Sequence, residues 1–287
     1  MLHRIDRVQL ATATPQEAAQ PWQRYLGAQP DGTQDCTALN ARIHRYRLAQ
    51  GFVEFVEPLG AGPVSDALSK RGGPHLFAGG ATTKDMTALK THLHSQSIAF
   101  TEESGQLHLD MNSDIAGLRM VVSKDEDRAS VGMIDFLYEV TLLHADAEGA
   151  TKRFCEIFGL NAGHFSPITS DKFGYYGILT LFDPDDLHRF EVITATAADK
   201  TMGRFFERTG PCLYMSFGES ARMAEIEQLV SADNQGHTID RPADRDPSLT
   251  PDQMWLHPPT LNGMMLGISR PSMAWTWSGR PDRVEAL

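Results

Sequence analysis

The chain has 287 residues, of which 41% are hydrophobic, enough for one large domain or two ordinary ones. Its formal net charge of −11 argues against a nucleic-acid surface, because phosphate binding needs clustered Lys and Arg. No apolar run approaches the ~20 residues that span a bilayer, and the N-terminus is too polar for a signal peptide. We therefore expect a cytoplasmic protein whose three cysteines (Cys36, Cys155 and Cys212) are reduced thiols.

The first half of the chain alternates short strands with amphipathic helices. Val8 and Leu10 alternate with polar residues as in a half-buried strand, and a helix then begins at Thr14-Pro15 and ends at Gly27. Further strands are predicted over 37–48, 52–58, 74–80 and 117–122, and a second helix over 84–97. Residues 60–73 are predicted to be a connector because they are rich in Gly, Pro and Ser, and the charged residues 124–128 to link two halves.

The second half follows the same order. Strands are predicted over 138–143, 174–181, 189–194, 212–217, 254–257 and 263–268, and helices over 146–158 and 221–230. Residues 198–210 are predicted to be a connector with a helix-like Phe205-Phe206 pair. The polar, Pro-rich range 234–251 is predicted to be a long loop that covers a site, and Trp275 and Trp277 lie in an extended tail.

Two matches between the halves indicate an internal repeat. Gly73-Pro-His-Leu-Phe aligns with Gly210-Pro-Cys-Leu-Tyr, and the strand that contains Glu54 aligns with the strand that contains Glu191; both alignments give an offset of 137 residues. Each half divides again, so the chain is predicted to be four modules in two domains, 1–125 and 133–287. We expect an α+β fold in which paired βαβββ modules form two curved mixed-sheet half-barrels with helices outside and a concave interior for a small molecule.

Several stretches carry a resemblance to a known family. They are Ile5-Asp-Arg-Val-Gln-Leu-Ala followed by Pro15, Trp22 and Leu26-Gly27, then Val53-Glu-Phe-Val-Glu-Pro-Leu59, Gly72-Gly-Pro-His75 and His257-Pro-x-x-x-x-Gly263. These stretches resemble the vicinal oxygen chelate superfamily, which includes glyoxalase I, methylmalonyl-CoA epimerase, bleomycin-resistance proteins and extradiol dioxygenases. The resemblance covers nearly the whole chain, and four modules is the layout of the dioxygenases. Because one fold hosts many functions, it says little about chemistry.

The resemblance also implies a metal site, from which this sequence departs. The family takes a His from a module's first strand, a Gln or Glu from its last strand, and a His and a Glu from the partner module. The corresponding residues here are Arg7, Glu54, Leu76 beside His75, and Val121 in the first half, and Glu139, Glu191, Leu213 or Tyr214, and Gly267 in the second. We therefore expect no bound cofactor. The alternative is a divalent metal held by relocated ligands, Glu54 and His75.

The remaining polar residues of the two concave faces are the candidate site. In the second half the resemblance places Glu139, Glu191, Tyr214 and His257 as acid–base groups, since a carboxyl in an apolar cup has a raised pKa. In the first half Arg7 and Glu54, with Arg119 near them, either bind a substrate or form an internal ion pair. Trp275 and Trp277 either line the pocket, which then takes an apolar or aromatic ligand, or form a homodimer contact.

We thus expect a metal-independent isomerase, epimerase or lyase that acts on a small, partly apolar or aromatic oxygenated metabolite by Glu/His acid–base chemistry. The alternatives are a protein that sequesters a small molecule without chemistry, and a metal enzyme with relocated ligands. A nucleic acid or a membrane is not an expected partner.

Overall fold

The first half of the chain forms one curved sheet. The structure, a computed structural model, describes residues 1–246 and 249–287. The strands of the first sheet are β1 (Ile5–Ala11), β2 (Gln29–Cys36), β3 (Ala41–Leu48), β4 (Gly51–Pro58), β5 (His75–Thr83), β6 (Thr101–Glu103), β7 (Gln106–Asp110) and β8 (Arg119–Lys124). They lie in the order β2-β3-β4-β1-β5-β8-β7-β6, in which β1 runs parallel to β4 and antiparallel to β5.

The second half repeats this topology. Its strands are β9 (Phe136–Leu143), β10 (Ser166–Ser170), β11 (Tyr175–Leu181), β12 (Arg189–Ala195), β13 (Cys212–Glu219), β14 (His237–Asp240), β15 (Gln253–Leu256) and β16 (Met265–Ser269). Their order, β10-β11-β12-β9-β13-β16-β15-β14, matches that of the first sheet strand for strand. The described residues therefore form two eight-stranded half-barrels of an α+β fold, as the repeat in the sequence predicts.

The helices connect the strands of each module. They are α1 (Pro15–Leu26), α2 (Pro63–Arg71), α3 (Met86–Ser95), α4 (Ala147–Phe158), α5 (Thr201–Thr209) and α6 (Met223–Ala232). Asp85 and Asp146 cap α3 and α4 by accepting hydrogen bonds from backbone N–H groups of the first turn. α1 ends at Gly27, whose φ of 72° is a left-handed conformation that glycine adopts at little cost. No helix of the described residues is long and apolar enough to cross a membrane.

Several sequence-based predictions of local structure were wrong. The connector predicted over 60–73 contains α2, because its Gly- and Pro-rich flanks hide a short helix that starts at Pro63. The connector predicted over 198–210 is mostly α5, to which its helix-like pair Phe205-Phe206 belongs. The loop predicted over 234–251 contains β14; two of its residues, 247 and 248, lie outside the described residues. The predicted extended tail is a short 3-10 helix over Met273–Thr276. β2 and β10 had no predicted counterpart.

The two faces of each sheet are distinguished by what packs on them. Val8 and Leu10 of β1 belong to the main core, together with residues of α1, whereas Ala11 belongs to a separate cluster on the opposite face. In β9, Leu142 packs in the main core and Leu143 in another separate cluster. Because successive side chains of a strand point to opposite faces, the residues that alternate with the main-core positions face the concave side.

One apolar core runs between the two half-barrels. It contains buried residues of both sheets and of α1, α3, α4 and α6. Gly79 allows the close approach of the sheets, since a Cβ at this position would lie 2.9 Å from Val140 and 3.0 Å from Phe190. Trp22 Nε1 also donates a hydrogen bond of 3.1 Å to the carbonyl of Leu261. The main core thus packs on the convex faces with α1, α3, α4 and α6, whereas the concave faces carry the buried polar residues and smaller apolar clusters that include Val64 of α2 and Met202 of α5.

Candidate functional site

Glu54 and Glu191 occupy equivalent positions in the two half-barrels. Glu54 of β4 pairs with Gln9 of β1, and Glu191 of β12 pairs with Thr141 of β9. Both carboxyls are buried on the concave side of their sheet, with 0% and 3% of the residue exposed. Buried carboxyls need partners, and the two half-barrels supply different ones.

In the first half, basic side chains surround the carboxyl. Glu54 Oε1 accepts hydrogen bonds from Arg7 Nη1 at 3.1 Å and from Arg45 Nε at 2.8 Å, and Oε2 accepts one from Gln9 Nε2 at 2.9 Å. The guanidinium of Arg7 also contacts both carboxyl oxygens of Asp6, at 3.1 and 2.7 Å, and Ser123 Oγ at 2.8 Å. Arg7 is only 2% exposed, so its donors are used within the protein. Arg7 and Glu54 form an internal ion pair, the second of the two alternatives considered for them.

In the second half, two acidic side chains lie near one arginine. Arg189 Nε donates to Glu139 Oε2 at 2.7 Å, and the hydroxyl of Thr141 donates to Glu191 Oε2 at 2.7 Å. The same hydroxyl lies 3.3 Å from Glu139 Oε1, so the two carboxyls are neighbours at Thr141. Arg189 is completely buried, and its Nη2 has no partner in the protein. The pair of carboxyls therefore has one cation beside it, whereas the single Glu54 has two.

This difference in charge moves the pKa of the two equivalent carboxyls in opposite directions. Burial acts to raise the pKa of Glu54, but the charges of Arg7 and Arg45 and the hydrogen bond from Gln9 outweigh burial, so its pKa lies below the ordinary value. Burial and the charge of Glu139 raise the pKa of Glu191 well above the ordinary 4.5. A buried carboxyl next to a second acid is harder to ionise, so Glu191 holds its proton to higher pH than an ordinary glutamate does.

Half-buried aromatic rings lie next to the carboxyl pair. Burial and the charge of Glu191 raise the pKa of the Tyr214 and Tyr175 hydroxyls, which keeps both phenols protonated. Tyr214 packs 5.6 Å from the ring of Phe205, and Phe206 belongs to the same cluster. A bulge in β13 turns Tyr214 to the concave side and leaves its neighbour in the main core, which decides the register that the sequence had left open.

The C-terminal segment packs on the concave side of the second half-barrel, next to the carboxyl pair. Arg189 Nη1 donates to Ser278 Oγ at 2.9 Å, and the ring of Trp277 lies 6.4 Å from that of Phe217. Trp275 belongs to the same aromatic cluster and lies beneath the guanidinium of Arg283, at 4.6 Å. Both tryptophans thus pack inside their own chain against the cup.

His257 is not brought to the carboxyl pair. It follows β15, which is separated from β9 by β13 and β16 in the sheet. Its Nε2 lies 2.8 Å from Thr238 Oγ1, and its backbone N–H bonds to the carbonyl of Gly236. The structure therefore groups Glu139, Glu191 and Tyr214 and leaves His257 at a distance.

The donor set at the family's metal positions does not fit a divalent ion. In the second half these positions are Glu139, Glu191, Tyr214 and Gly267. A Cβ at residue 267 would lie 2.3 Å from the ring of Phe217, which fills the space of a side-chain ligand, and the buried Arg189 places a cation against Glu139. In the first half Arg7 places a cation at the site, and His75 Nδ1 is bonded to the carbonyl of Gly73 rather than directed at Glu54. The described residues contain no group of three or more His, Cys, Asp or Glu that could hold a metal.

Sequence reasoning missed Arg189 and Thr141, which complete the carboxyl pair. The signal for both was the alternation along each strand. Arg189 lies two residues before Glu191, and Thr141 two residues after Glu139, so each shares the face of its acid. Arg45 was missed for a different reason, because it reaches Glu54 from the neighbouring strand β3.

Comparisons with known proteins agree with this architecture. The sequence matches no protein-family model and no curated protein. Among solved structures, a triple mutant of 4-hydroxymandelate synthase from Streptomyces coelicolor is similar over 94% of this chain and 93% of that one, with a TM-score of 0.71 and 12% identity. The halotolerant catechol dioxygenase BphC is similar over 94% of this chain and 87% of its own, with a TM-score of 0.59 and 12% identity.

A fusion of a xylose isomerase-like TIM barrel with a 4-hydroxyphenylpyruvate dioxygenase is similar over 94% of this chain and 49% of its own, with a TM-score of 0.61 and 9% identity. At such identities the similarity concerns the fold alone. The repeated modules, the two half-barrels and these neighbours together show that the chain has the vicinal oxygen chelate fold in its four-module form.

Proposed function

We propose that the second half-barrel is a metal-independent acid–base active site that acts on a small, partly apolar or aromatic oxygenated metabolite. The observation that carries the proposal is the buried pair of Glu139 and Glu191, in which burial and the neighbouring acid raise the pKa of Glu191. A carboxyl that keeps its proton near neutral pH can donate it to a substrate oxygen or carbon, and its partner can accept one.

The chemistry follows from the geometry of the pair. The two carboxyls share the hydroxyl of Thr141, so a substrate that reaches this point of the half-barrel would have both acids close to it. Removal of a proton next to a carbonyl by one carboxyl, and its return by the other, is the step common to isomerases, epimerases and some lyases. The protonated phenol of Tyr214 is available to stabilise the oxyanion formed between these steps.

The substrate class follows from the walls of the cup. Tyr175, Phe205 and Phe206 are half-buried, so they offer exposed aromatic surface next to the carboxyl pair. Aromatic walls with few convergent polar groups favour an apolar or aromatic ligand. The structural neighbours are named for aromatic compounds, hydroxymandelate and catechol, which supports the same class.

The test is exchange of a carbon-bound proton with solvent. Wild-type protein is incubated in D₂O with aromatic 2-oxo and 2-hydroxy acids, and deuterium incorporation is followed by NMR. Glu191→Gln keeps the shape of the side chain but removes the titrating proton, and we expect it to lower the exchange rate by about 10²–10⁴-fold. Glu148→Gln, a change of an exposed acid on α4 in the same half, is the matched control.

Binding of the same compounds is measured separately by calorimetry. Loss of exchange with retained binding supports an acid–base role for Glu191. Binding without any exchange in the wild-type protein would instead favour the alternative function, sequestration of a small molecule.

A further inference from the structure

The first half-barrel contains a cavity that the proposed function does not use. Its volume is about 220 Å³, and it lies over the concave face of the sheet next to Gln9. Leu39, Pro63, Phe77 and Ala78 supply apolar wall. Ligand pockets for drug-sized molecules measure about 300–1,000 Å³, so this cavity suits a smaller ligand of about one ring.

The floor of the cavity carries no uncompensated negative charge. Gln9 lines the floor, and its Nε2 donates a hydrogen bond to Glu54 Oε2. Behind it, Arg7 and Arg45 both contact the carboxylate of Glu54. A ligand therefore meets a neutral amide at this point.

The rim of the cavity carries a cation with unused hydrogen-bonding capacity. The guanidinium of Arg119 lies 5.1 Å from the centre of the Phe77 ring, and its Nη2 donates to Asp110 at 3.0 Å. Its Nε is buried and has no partner in the protein. A buried donor without an acceptor is costly, and an acceptor on a ligand would remove that cost.

The charged side chains that line the cavity are Arg119 and Asp110. Asp110, which is more than half exposed, engages the guanidinium of Arg119 through Nη2. The imidazole of His75 is partly buried at the start of β5, and burial together with the charges of Arg71 and Arg119 lowers its pKa to about 4, so the positive charge of Arg119 also acts on this part of the strand. His108 lines the wall, and burial lowers its pKa, so it offers a neutral imidazole.

We propose that this cavity is a second small-molecule site, which binds a compact one-ring molecule carrying one carboxylate. The ring lies against Phe77 and Ala78, and the carboxylate accepts hydrogen bonds from Arg119. Arginine suits this role because its planar donors match the geometry of a carboxylate. The site is in the opposite half of the chain from Glu139 and Glu191, and it requires no catalysis.

The experiment uses benzoate as the probe and benzamide as its neutral isostere. Protein labelled with ¹³C at alanine methyl groups is titrated with each compound and followed by NMR. Ala38 and Ala78 line the cavity and report on this site, whereas Ala195 packs beside the cluster that contains Tyr214 and reports on the second half-barrel. We expect benzoate to shift the signals of Ala38 and Ala78 and to bind at least about tenfold more tightly than benzamide, because only benzoate forms a charge-assisted contact.

Three variants test where and how benzoate binds. Arg119→Gln should weaken benzoate binding about tenfold and leave benzamide binding nearly unchanged, whereas Arg42→Gln, a change of an exposed arginine in the same sheet, should affect neither. Ala78→Leu should fill the cavity and prevent both compounds from shifting the Ala38 signal.

The proposal is wrong if benzoate leaves the Ala38 and Ala78 signals unchanged, or if it shifts the Ala195 signal alone. It is also wrong if Arg119→Gln binds benzoate as tightly as the wild type. Because the readout is a methyl shift in the first half-barrel, it is independent of proton exchange at Glu191, and either proposal can fail without the other.

Discussion

Replacement of Arg7 by methionine tests whether the buried ion pair holds the first half-barrel together. The guanidinium makes four hydrogen bonds, two to Asp6, one to Glu54 and one to Ser123. Removal of one partner of a buried pair costs about 3–5 kcal/mol, because the other charge remains buried. Glu54 keeps Arg45 at 2.8 Å and Gln9 at 2.9 Å, but the buried Asp6 keeps only Ser123 at 3.4 Å and Arg128 at 3.8 Å, so we expect a loss of about 3–5 kcal/mol.

The measurement is urea unfolding followed by circular dichroism at neutral pH. Arg42→Met is the matched control, since it removes an arginine whose 2.7 Å contact with Asp35 lies at the surface, and it should leave the unfolding midpoint close to that of the wild type. The double variant Arg7→Met/Glu54→Gln should lose less than the sum of the single losses, by about 0.5–3 kcal/mol. If Arg7→Met costs no more than Arg42→Met, the ion pair does not stabilise the fold and our interpretation of the first half-barrel is refuted.

The two other predictions concern the second half-barrel. An unfolded Glu191 ionises near 4.5, whereas the folded carboxyl keeps its proton to higher pH, so this group makes the protein less stable as pH rises above 4.5. Glu191→Gln removes this pH-dependent destabilisation. The variant should therefore melt at a higher temperature than the wild type, and the difference in melting temperature should be larger at about pH 8 than at about pH 5. A difference that is the same at both pH values would contradict the raised pKa of Glu191. Gly267→Ala should cost about 1–3 kcal/mol, because its Cβ would lie 2.3 Å from the ring of Phe217. Gly73→Ala is its control, since no atom lies within 4 Å of the added Cβ, and equal unfolding midpoints for the two variants would show that the ring moves aside freely.

Much of the fold was predictable because its strands and helices have regular hydrophobic periods. β1 and β9 alternate, α1 and α4 show an apolar face that ends at a glycine, and the offset between Glu54 and Glu191 predicted the repeat that the two sheets display. β2 was not predictable in this way. Seven of its eight residues are exposed or half-exposed, so it has no buried face to produce an alternation, and it is a strand only because it pairs with β3.

The composition of the candidate site was predictable only in part. The repeat and the resemblance indicated that Glu54, Glu139, Glu191 and Tyr214 share concave faces. They did not indicate that Arg189 and Thr141 complete the carboxyl pair. The orientation of Tyr214 also depended on a bulge in β13, and a bulge shifts the alternation by one residue without a mark in the hydrophobic pattern.

The sequence by itself determined the modular repeat, the class of fold and the acids that the concave faces carry, because these depend on local periodicity and on residue identity. The tertiary structure alone decided in which direction the pKa of each acid moves. Arg7 and Glu54 are 47 residues apart in the chain, and Arg189 and Glu139 are 50 apart, yet each pair is in direct contact across adjacent strands. A pKa depends on the charges within a few ångströms, and strand pairing, not chain order, sets those distances.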